Sequence, residues 1–400
     1  MSSMLRVGIC GPANPYEFKK NLDCHQKIPN INNQAASVNA HIQSLLDLGC
    51  EVVVFTKQIS DSRETLHVWG NKLHFFIVPE KGNRSDNIFR IHTIRNLKRV
   101  IDSNLLHIDI LHAQWTYEFA YACIPFSNKI TTFCTVRDWC PYQRRIAKRP
   151  MERCVWLVNS FLFHRVLSCP HIHFIANSEY TFNCLKKYGL RNNLSKISNG
   201  IKNKFILSTR TQYPTTPTFV SIAQNLSERR KNIITLLKAF QLMCRETTAL
   251  LILVGRYDQV DYNMWKQSGL LQQVAFTGTI NHDQVISLLD KCSVLVHPSI
   301  EETFGNILLE GMARRIPVIG GYNSGAVPYV LGNGKWGILC DIHDEQLLYE
   351  AMKRTIHVKE METIINQATI HLQQNFSSDV IGKKHIELYQ NTLHHELSIL

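Results

Sequence analysis

The chain is poor in the features that mark membrane, secreted and metal-stapled proteins. No apolar run approaches the roughly 20 residues that a membrane span needs. The opening stretch, Met1–Pro12, passes into a strand pattern without the apolar core of a signal peptide, so a cytoplasmic chain is expected. The 12 cysteines form no C-x-x-C pair. They read as reduced thiols in apolar settings, not as a zinc site or a disulfide frame. There is no low-complexity tract, no zinc-finger spacing and no interleaving of basic and aromatic residues, so no nucleic-acid partner is expected. Asp-x-Asp, a common divalent-cation holder, is also absent.

Four hundred residues, 44% hydrophobic, exceed one ordinary core and predict two domains. The formal charge of +12 predicts anionic partners: phosphorylated substrates or acidic lipid head groups. Ser293–Gly321 is the most informative stretch. It reads as a β-branched strand, Ser293–His297, a stop at Pro298, a polar loop, a helix over Asn306–Arg314, a stop at Pro317, and a second strand. Such a unit belongs to a parallel sheet, with the helix amino end at the sheet edge where α/β proteins place ligands. Gly305 permits close approach of a ligand to the backbone, and open amides of a first helical turn favour an anion.

Glu302 and Glu310, with seven residues between them around Phe304-Gly305 and followed by Pro317-Val318, resemble the signature of glycosyltransferase family 4. The resemblance implies an α/β chain of GT-B architecture: two Rossmann-like, doubly wound parallel-sheet domains facing across a cleft. It implies transfer of a sugar, with retention, from a nucleotide diphosphate sugar. It places Glu302 on the donor sugar, Glu310 on the ribose, and Thr303, Phe304, Gly305 and Asn306 in the donor loop. Gly255, at a strand end, and Gly278, beside the base, complete the donor set.

The first half supports the same resemblance. A strand at Leu5–Cys10, a long polar loop, a helix at Gln34–Leu48 and a strand at Glu51–Thr56 match the family's opening unit. The family's paired loop glycines are replaced by Asn32-Asn33-Gln34-Ala35-Ala36. His112 keeps the first position of a His-x-His pair, facing the acceptor in the family, and Gln114 takes the second. Arg137-Asp138 stands where relatives have His-Asp. Arg137, Asp138 and Gln114 are therefore the expected acceptor residues, and an arginine there suits a phosphate or carboxylate. Arg144, Arg145, Lys148, Arg149, Arg153 and Arg165 surround an apolar helix with Trp156, Leu157 and Phe161. Two readings of it stay open: peripheral contact with an anionic membrane, or a solvated basic face.

In the second half, residues 208–218 read as a linker, and Gln224–Asn232 opens the helix Ile233–Cys244. The family's Gly-Arg is missing there. Lys231 matches its diphosphate-binding lysine, and Arg230 is expected to supply the second charge. With Glu302 and His112, these form the expected catalytic set, and no metal or other cofactor is expected. The expected domains are 1–206, acceptor-binding; 207–376, donor-binding; and 377–400, a helix packing back on the first. The implied acceptor is a glycan or lipid-linked sugar in bacterial surface polysaccharide synthesis. Two alternatives stay open: a nucleotide-sugar epimerase or hydrolase of the same fold, and a non-catalytic sugar or membrane binder.

Overall fold

Val52-Val53-Val54-Phe55 and Leu250–Val254 are apolar on both faces, a pattern that suits strands covered on two sides. A computed structural model describes residues 4–31, 36–62, 64–82, 88–190 and 192–399, and places each run inside a largely parallel sheet. The chain forms two units, Met1–Gly200 with Ser378–Leu400, and Ile201–Ser377.

The first unit runs β1 (Arg6–Cys10), α1 (Ala36–Asp47), β2 (Glu51–Ile59), β3 (Leu66–Trp69), β4 (Leu73–Glu80), α2 (Ile91–Asn104), β5 (Ile110–Ala113), α3 (Glu118–Cys123), β6 (Thr132–Val136), α4 (Cys140–Ile146), α5 (Pro150–Leu167), β7 (Ile172–Ala176), α6 (Glu179–Lys187) and β8 (Leu194–Lys196). Its sheet order is β3-β4-β2-β1-β5-β6-β7-β8, parallel except for the antiparallel pair β3/β4. Side chains alternate between two cores. Val7 and Ile9 enter one cluster with Val38, Ile42 and Phe75, while Cys10 enters another with Leu97, Phe119 and Phe163.

The second unit runs β9 (Thr218–Asn225), α7 (Ile233–Glu246), β10 (Leu250–Arg256), α8 (Gln259–Gln267), β11 (Val274–Gly278), α9 (His282–Leu289), β12 (Val294–His297), α10 (Asn306–Ala313), β13 (Val318–Gly321), α11 (Val327–Val330), β14 (Ile338–Cys340), α12 (Glu345–Lys353) and α13 (Glu362–Asn375). Its order, β11-β10-β9-β12-β13-β14, is parallel throughout and reverses direction between β9 and β12. This is the doubly wound order 3-2-1-4-5-6.

The last helix, α14 (Ser378–Ile399), belongs to the first unit. Tyr389 is fully buried in the cluster that holds Val7 and Phe133. Its hydroxyl lies 2.5 Å from His112 Nδ1 and 3.2 Å from His41 Nε2. Gly382 lets the helix lie close to α1, since a Cβ there would meet Ser44 Oγ at 1.8 Å. Ser44 in turn donates to the Ser378 carbonyl at 2.7 Å.

Three imidazoles thus share one interior. The rings of His41 and His385 are 4.2 Å apart, and those of His41 and His112 5.4 Å. Burial pushes His385 down to about 4, and with the neighbouring charges holds His41 and His112 well below the usual range. The unfolded chain binds protons that the folded one refuses, so stability is full above pH 6.5 and is lost as pH falls toward 4. The drop at His385 alone corresponds to about 3 kcal/mol. Hydrogen exchange of Ser378–Ile399, corrected for intrinsic rates, should show strong protection at pH 7 and markedly weaker protection at pH 5. His385→Asn should flatten that dependence.

Candidate functional site

In a doubly wound sheet, the loops leaving the two strands at the reversal part from each other and leave a crevice. Here those are the loop after β9, reaching Asn232, and the loop after β12, reaching Gly305. A short turn, Arg229–Lys231, carries the cations of the first loop. Pro298 ends β12, and Gly305, at φ 84°, starts α10 without a side-chain cap.

The two loops are bonded to each other. The Ile300 amide donates to the Arg230 carbonyl at 2.7 Å. Asn232, at φ 52°, donates Nδ2 to the Ile342 carbonyl at 2.6 Å and accepts from Thr235 Oγ1 at 2.8 Å. A third segment supports Glu302 from behind. The Ala326 amide donates to the Glu302 carbonyl at 2.8 Å, and Gly325, at φ 61°, approaches so closely that a Cβ would lie 2.3 Å from that oxygen. The glycine-rich turn after β13 therefore fixes the Glu302 backbone.

The side chains then converge. Lys231 Nζ is ion-paired with Glu302 Oε1, His297 Nε2 lies 3.3 Å from the same oxygen and Arg230 Nη1 3.4 Å from it. The Glu302 side chain is 13% exposed. Burial alone would raise its pKa, but Lys231, His297 and Arg230 hold it well below the usual carboxylate range. His297 ends β12, fully inside. Burial, with Lys231 and Arg230, outweighs Glu302 and pushes it down, so it stays neutral at pH 7. Arg230 also pairs with Glu228 at 3.0 Å. Glu310 lies in α10 with different company: His282 Nε2, from the start of α9, is 3.1 Å away.

The structure thus gathers Glu302, Lys231 and Arg230 at one crevice and puts Glu310, Thr303, Gly305 and Asn306 on or beside α10. For three of the expected residues the structure shows a packing or bonding role. Phe304 is 1% exposed and packs on Phe376 at a ring distance of 5.8 Å, so its side chain is a core anchor and only its backbone can reach a donor. Gly255 ends β10 at φ 136°, where a Cβ would lie 1.9 Å from the Ala223 carbonyl oxygen. Tight packing of β9 on β10 accounts for that glycine. His112 is wholly buried with both nitrogens engaged, Nδ1 by Tyr389 and Nε2 by Thr135 Oγ1 at 2.8 Å, so it presents no ring nitrogen to an acceptor.

Gln114 is equally buried, 3.2 Å from both nitrogens of His112, and accepts from Arg137 Nη2. Arg137 also donates to Ser37 Oγ at 3.1 Å and to Asn199. Burial pushes its pKa down to about 10. It lines a cavity of about 10 Å³ with Ser37, His41, Ser44, Asn199 and His385. Asp138 accepts from the Tyr117 hydroxyl at 3.1 Å. Gly278, at φ 69°, has open space where a Cβ would stand. Of the expected first loop, 32–35 lies outside the described residues. His297 and His282 were missed from sequence. A histidine closing an apolar strand directly before Pro298 was the available signal for the first.

A doubly wound parallel sheet with a cationic crevice at its strand reversal is an arrangement that suits an anionic ligand. The comparisons narrow it. Residues 34–204 match the model of Glycosyltransferase Family 4, and residues 206–371 that of Glycosyl transferases group 1. The chain belongs to this glycosyltransferase family. The α-1,3/1,6-mannosyltransferase of Homo sapiens is 30% identical over 183 residues, 42% of this chain and 44% of that protein. The chain spans less than half the length of the curated relatives it matches. Sucrose-phosphate synthase from Thermosynechococcus elongatus shares the fold with a TM-score of 0.77 at 16% identity, over 98% of this chain and 100% of that one. HepE from Anabaena, in complex with UDP and glucose, does so with a TM-score of 0.66 at 17% identity, over 97% and 100%. The fold is GT-B.

Gly325→Ala tests the support behind Glu302. The added methyl meets the Glu302 carbonyl in a left-handed conformation, and a loss of about 1–3 kcal/mol is expected in urea denaturation of the Ile201–Ser377 unit. The equivalent change at Gly278, where the space is open, should cost less.

Proposed function

We propose that the protein transfers a sugar, with retention and without a metal ion, from a nucleotide diphosphate sugar to a glycan or lipid-linked acceptor. The observation that carries this is the crevice at β9/β12, where Lys231 and Arg230 converge with Glu302 beside the amino end of α10. Lys231 and Arg230 neutralise the diphosphate as charge grows on it in the transition state. Glu302 holds the donor sugar, and Glu310, oriented by His282, holds the ribose. Transfer proceeds on one face of the sugar: the leaving phosphate takes the acceptor's proton, and no covalent enzyme intermediate forms. HepE, which shares the fold, binds UDP and glucose, in keeping with a nucleotide-sugar donor.

The acceptor is assigned to Arg137 and Asp138 of the first unit, with a phosphate or carboxylate on Arg137. We place the reaction in bacterial surface polysaccharide synthesis, at the cytoplasmic face of a membrane. Among the described residues no helix is long and apolar enough to cross a membrane. Helix α5 instead exposes Leu157 (53%) and Phe161 (57%) one turn apart, with Arg153 and Arg165 exposed on the same helix and Arg144, Arg145, Lys148 and Arg149 leading into it. That combination suits an anionic lipid surface, at about 1 kcal/mol per basic residue.

Transfer from a panel of nucleotide sugars, with magnesium and with EDTA, tests the reading. One donor should be used in both conditions, and Lys231→Ala should lower kcat/KM about 10²–10³-fold. Equal turnover by that variant would remove Lys231 from the chemistry. Glu310→Ala should raise the Kd for the nucleotide. For the membrane contact, cosedimentation with anionic vesicles at low salt should fall when Arg149 and Arg153 are changed to alanine, and vanish with neutral vesicles.

A further inference from the structure

The Glu302 carboxylate contacts the crevice cations through one oxygen. Lys231, Arg230 and His297 all approach Oε1. These are the two cations that the proposed reaction assigns to the diphosphate, so this inference rests on that reading.

We infer that Glu302 is a resident counter-ion of the diphosphate site, displaced when a ligand brings its own negative charge, and that it makes the site select sugar-bearing nucleotides over bare diphosphates. The geometry supplies both halves. A diphosphate and the carboxylate compete for Lys231 and Arg230, and like charges packed into one site with few counter-ions repel strongly. Because all three contacts share Oε1, one rotation of the carboxyl group off that position releases Lys231, Arg230 and His297 together. A displaced carboxylate then needs new hydrogen-bond donors, since burying it unpaired is costly. Sugar hydroxyls supply such donors. Pyrophosphate supplies none, and a bare nucleoside diphosphate has only its base and ribose donors, the latter assigned to Glu310. The residue therefore weakens every diphosphate and returns that loss only when a sugar is attached.

His297 fits this role as a positioning residue. Neutral at pH 7, it adds no third cation to compete for the phosphates, and its Nε2 stands 3.3 Å from the resting carboxylate at the end of β12. Arg230 retains Glu228 as a partner at 3.0 Å when Glu302 leaves, whereas Lys231 Nζ then turns to the incoming phosphate. Lys231 is thus the cation whose ligand exchange matters most.

Calorimetric titration with inorganic pyrophosphate and with UDP tests the inference in wild type, Glu302→Gln and Lys231→Ala. Removing a close buried charge competitor should tighten both ligands in Glu302→Gln by about tenfold or more. For a nucleotide sugar, the same variant should lose the preference over its own nucleoside diphosphate that wild type shows. Lys231→Ala should bind both probes weakly. If wild type binds pyrophosphate and Glu302→Gln binds it no tighter, the counter-ion inference is wrong while the diphosphate assignment stands. If neither protein binds pyrophosphate or UDP, the crevice is no diphosphate site, and both readings fall. Glu302→Gln keeps the side chain's size, and its circular dichroism melt against wild type guards the comparison. Should that variant unfold, Glu302→Ala in the same titration carries the test, with the same tightening expected and its absence overturning the inference.

Discussion

The ion pair between Lys231 and Glu302 fastens the two loops that part at the strand reversal of the second unit. Strand order creates the crevice, and Leu226 and Phe304 anchor the two loops in the core beside it. The backbone bond from Ile300 to Arg230 sets their spacing, and the side-chain cluster fixes what they present. Buried ion pairs are weak sources of net stability, because desolvation consumes much of the attraction. Their use is in orientation. A second buried network makes the contrast. In the first unit, Lys57 pairs with Glu80 at 2.7 Å and Glu118 at 2.9 Å, and Arg90 joins Glu118 at 3.1 Å. There Lys57 bridges two carboxylates and Glu118, at the amino end of α3, is shared between Lys57 and Arg90, with all four side chains at most 14% exposed. That network locks β2 and β4 to α3, whereas the Glu302 cluster lies in a crevice.

The first unit depends on polar burial of another kind. Tyr389 carries the last helix into the interior, and its hydroxyl needs partners once dry. His112 and His41 provide them. Arg137 shares that neighbourhood and lowers the affinity of all three histidines for protons. Positive charge is thus kept to one guanidinium whose hydrogen-bond partners, Ser37, Asn199 and Gln114, are neutral. A second cation inside would be costly, so the imidazoles serve as neutral connectors. His112 earns its place by packing and bonding within the unit.

Much of this was legible beforehand. Runs such as Val52–Phe55 and Leu250–Val254 announced parallel strands, and Pro298, Gly305 and Pro317 bounded the central loop and helix to within a residue. Glu302, Lys231 and Arg230 were readable together because each lies in a loop that leaves a strand of the second sheet and leads into a helix. Other features depend on contacts that no local pattern encodes. The hairpin β3/β4 was passed over, although Gly70-Asn71 between alternating residues signals one. His112 was expected at the acceptor because it holds the first position of the His-x-His pair that the family resemblance supplies. Tyr389, 277 positions later, engages its Nδ1 instead. Phe304 sits within the loop that carries Glu302, and only the packing of Phe376 shows that its ring turns inward.

The loop that lacks the family's Gly-Arg carries consecutive cations instead. Arg230 and Lys231 are consecutive, so both cations ride on one short turn, Arg229–Lys231, held by Ile300 and by Asn232. Arg230 divides its guanidinium between Glu302 and Glu228, and its side chain is 20% exposed against 11% for Lys231. Screening and a standing partner weaken its pull on any new anion. Lys231, with its charge directed at Glu302 alone among the ion pairs described, keeps the stronger field. Two cations on one turn also move together, so a shift of that turn changes both at once. The arrangement concentrates the positive charge of the crevice in a single segment, where a pair of separated residues would divide it.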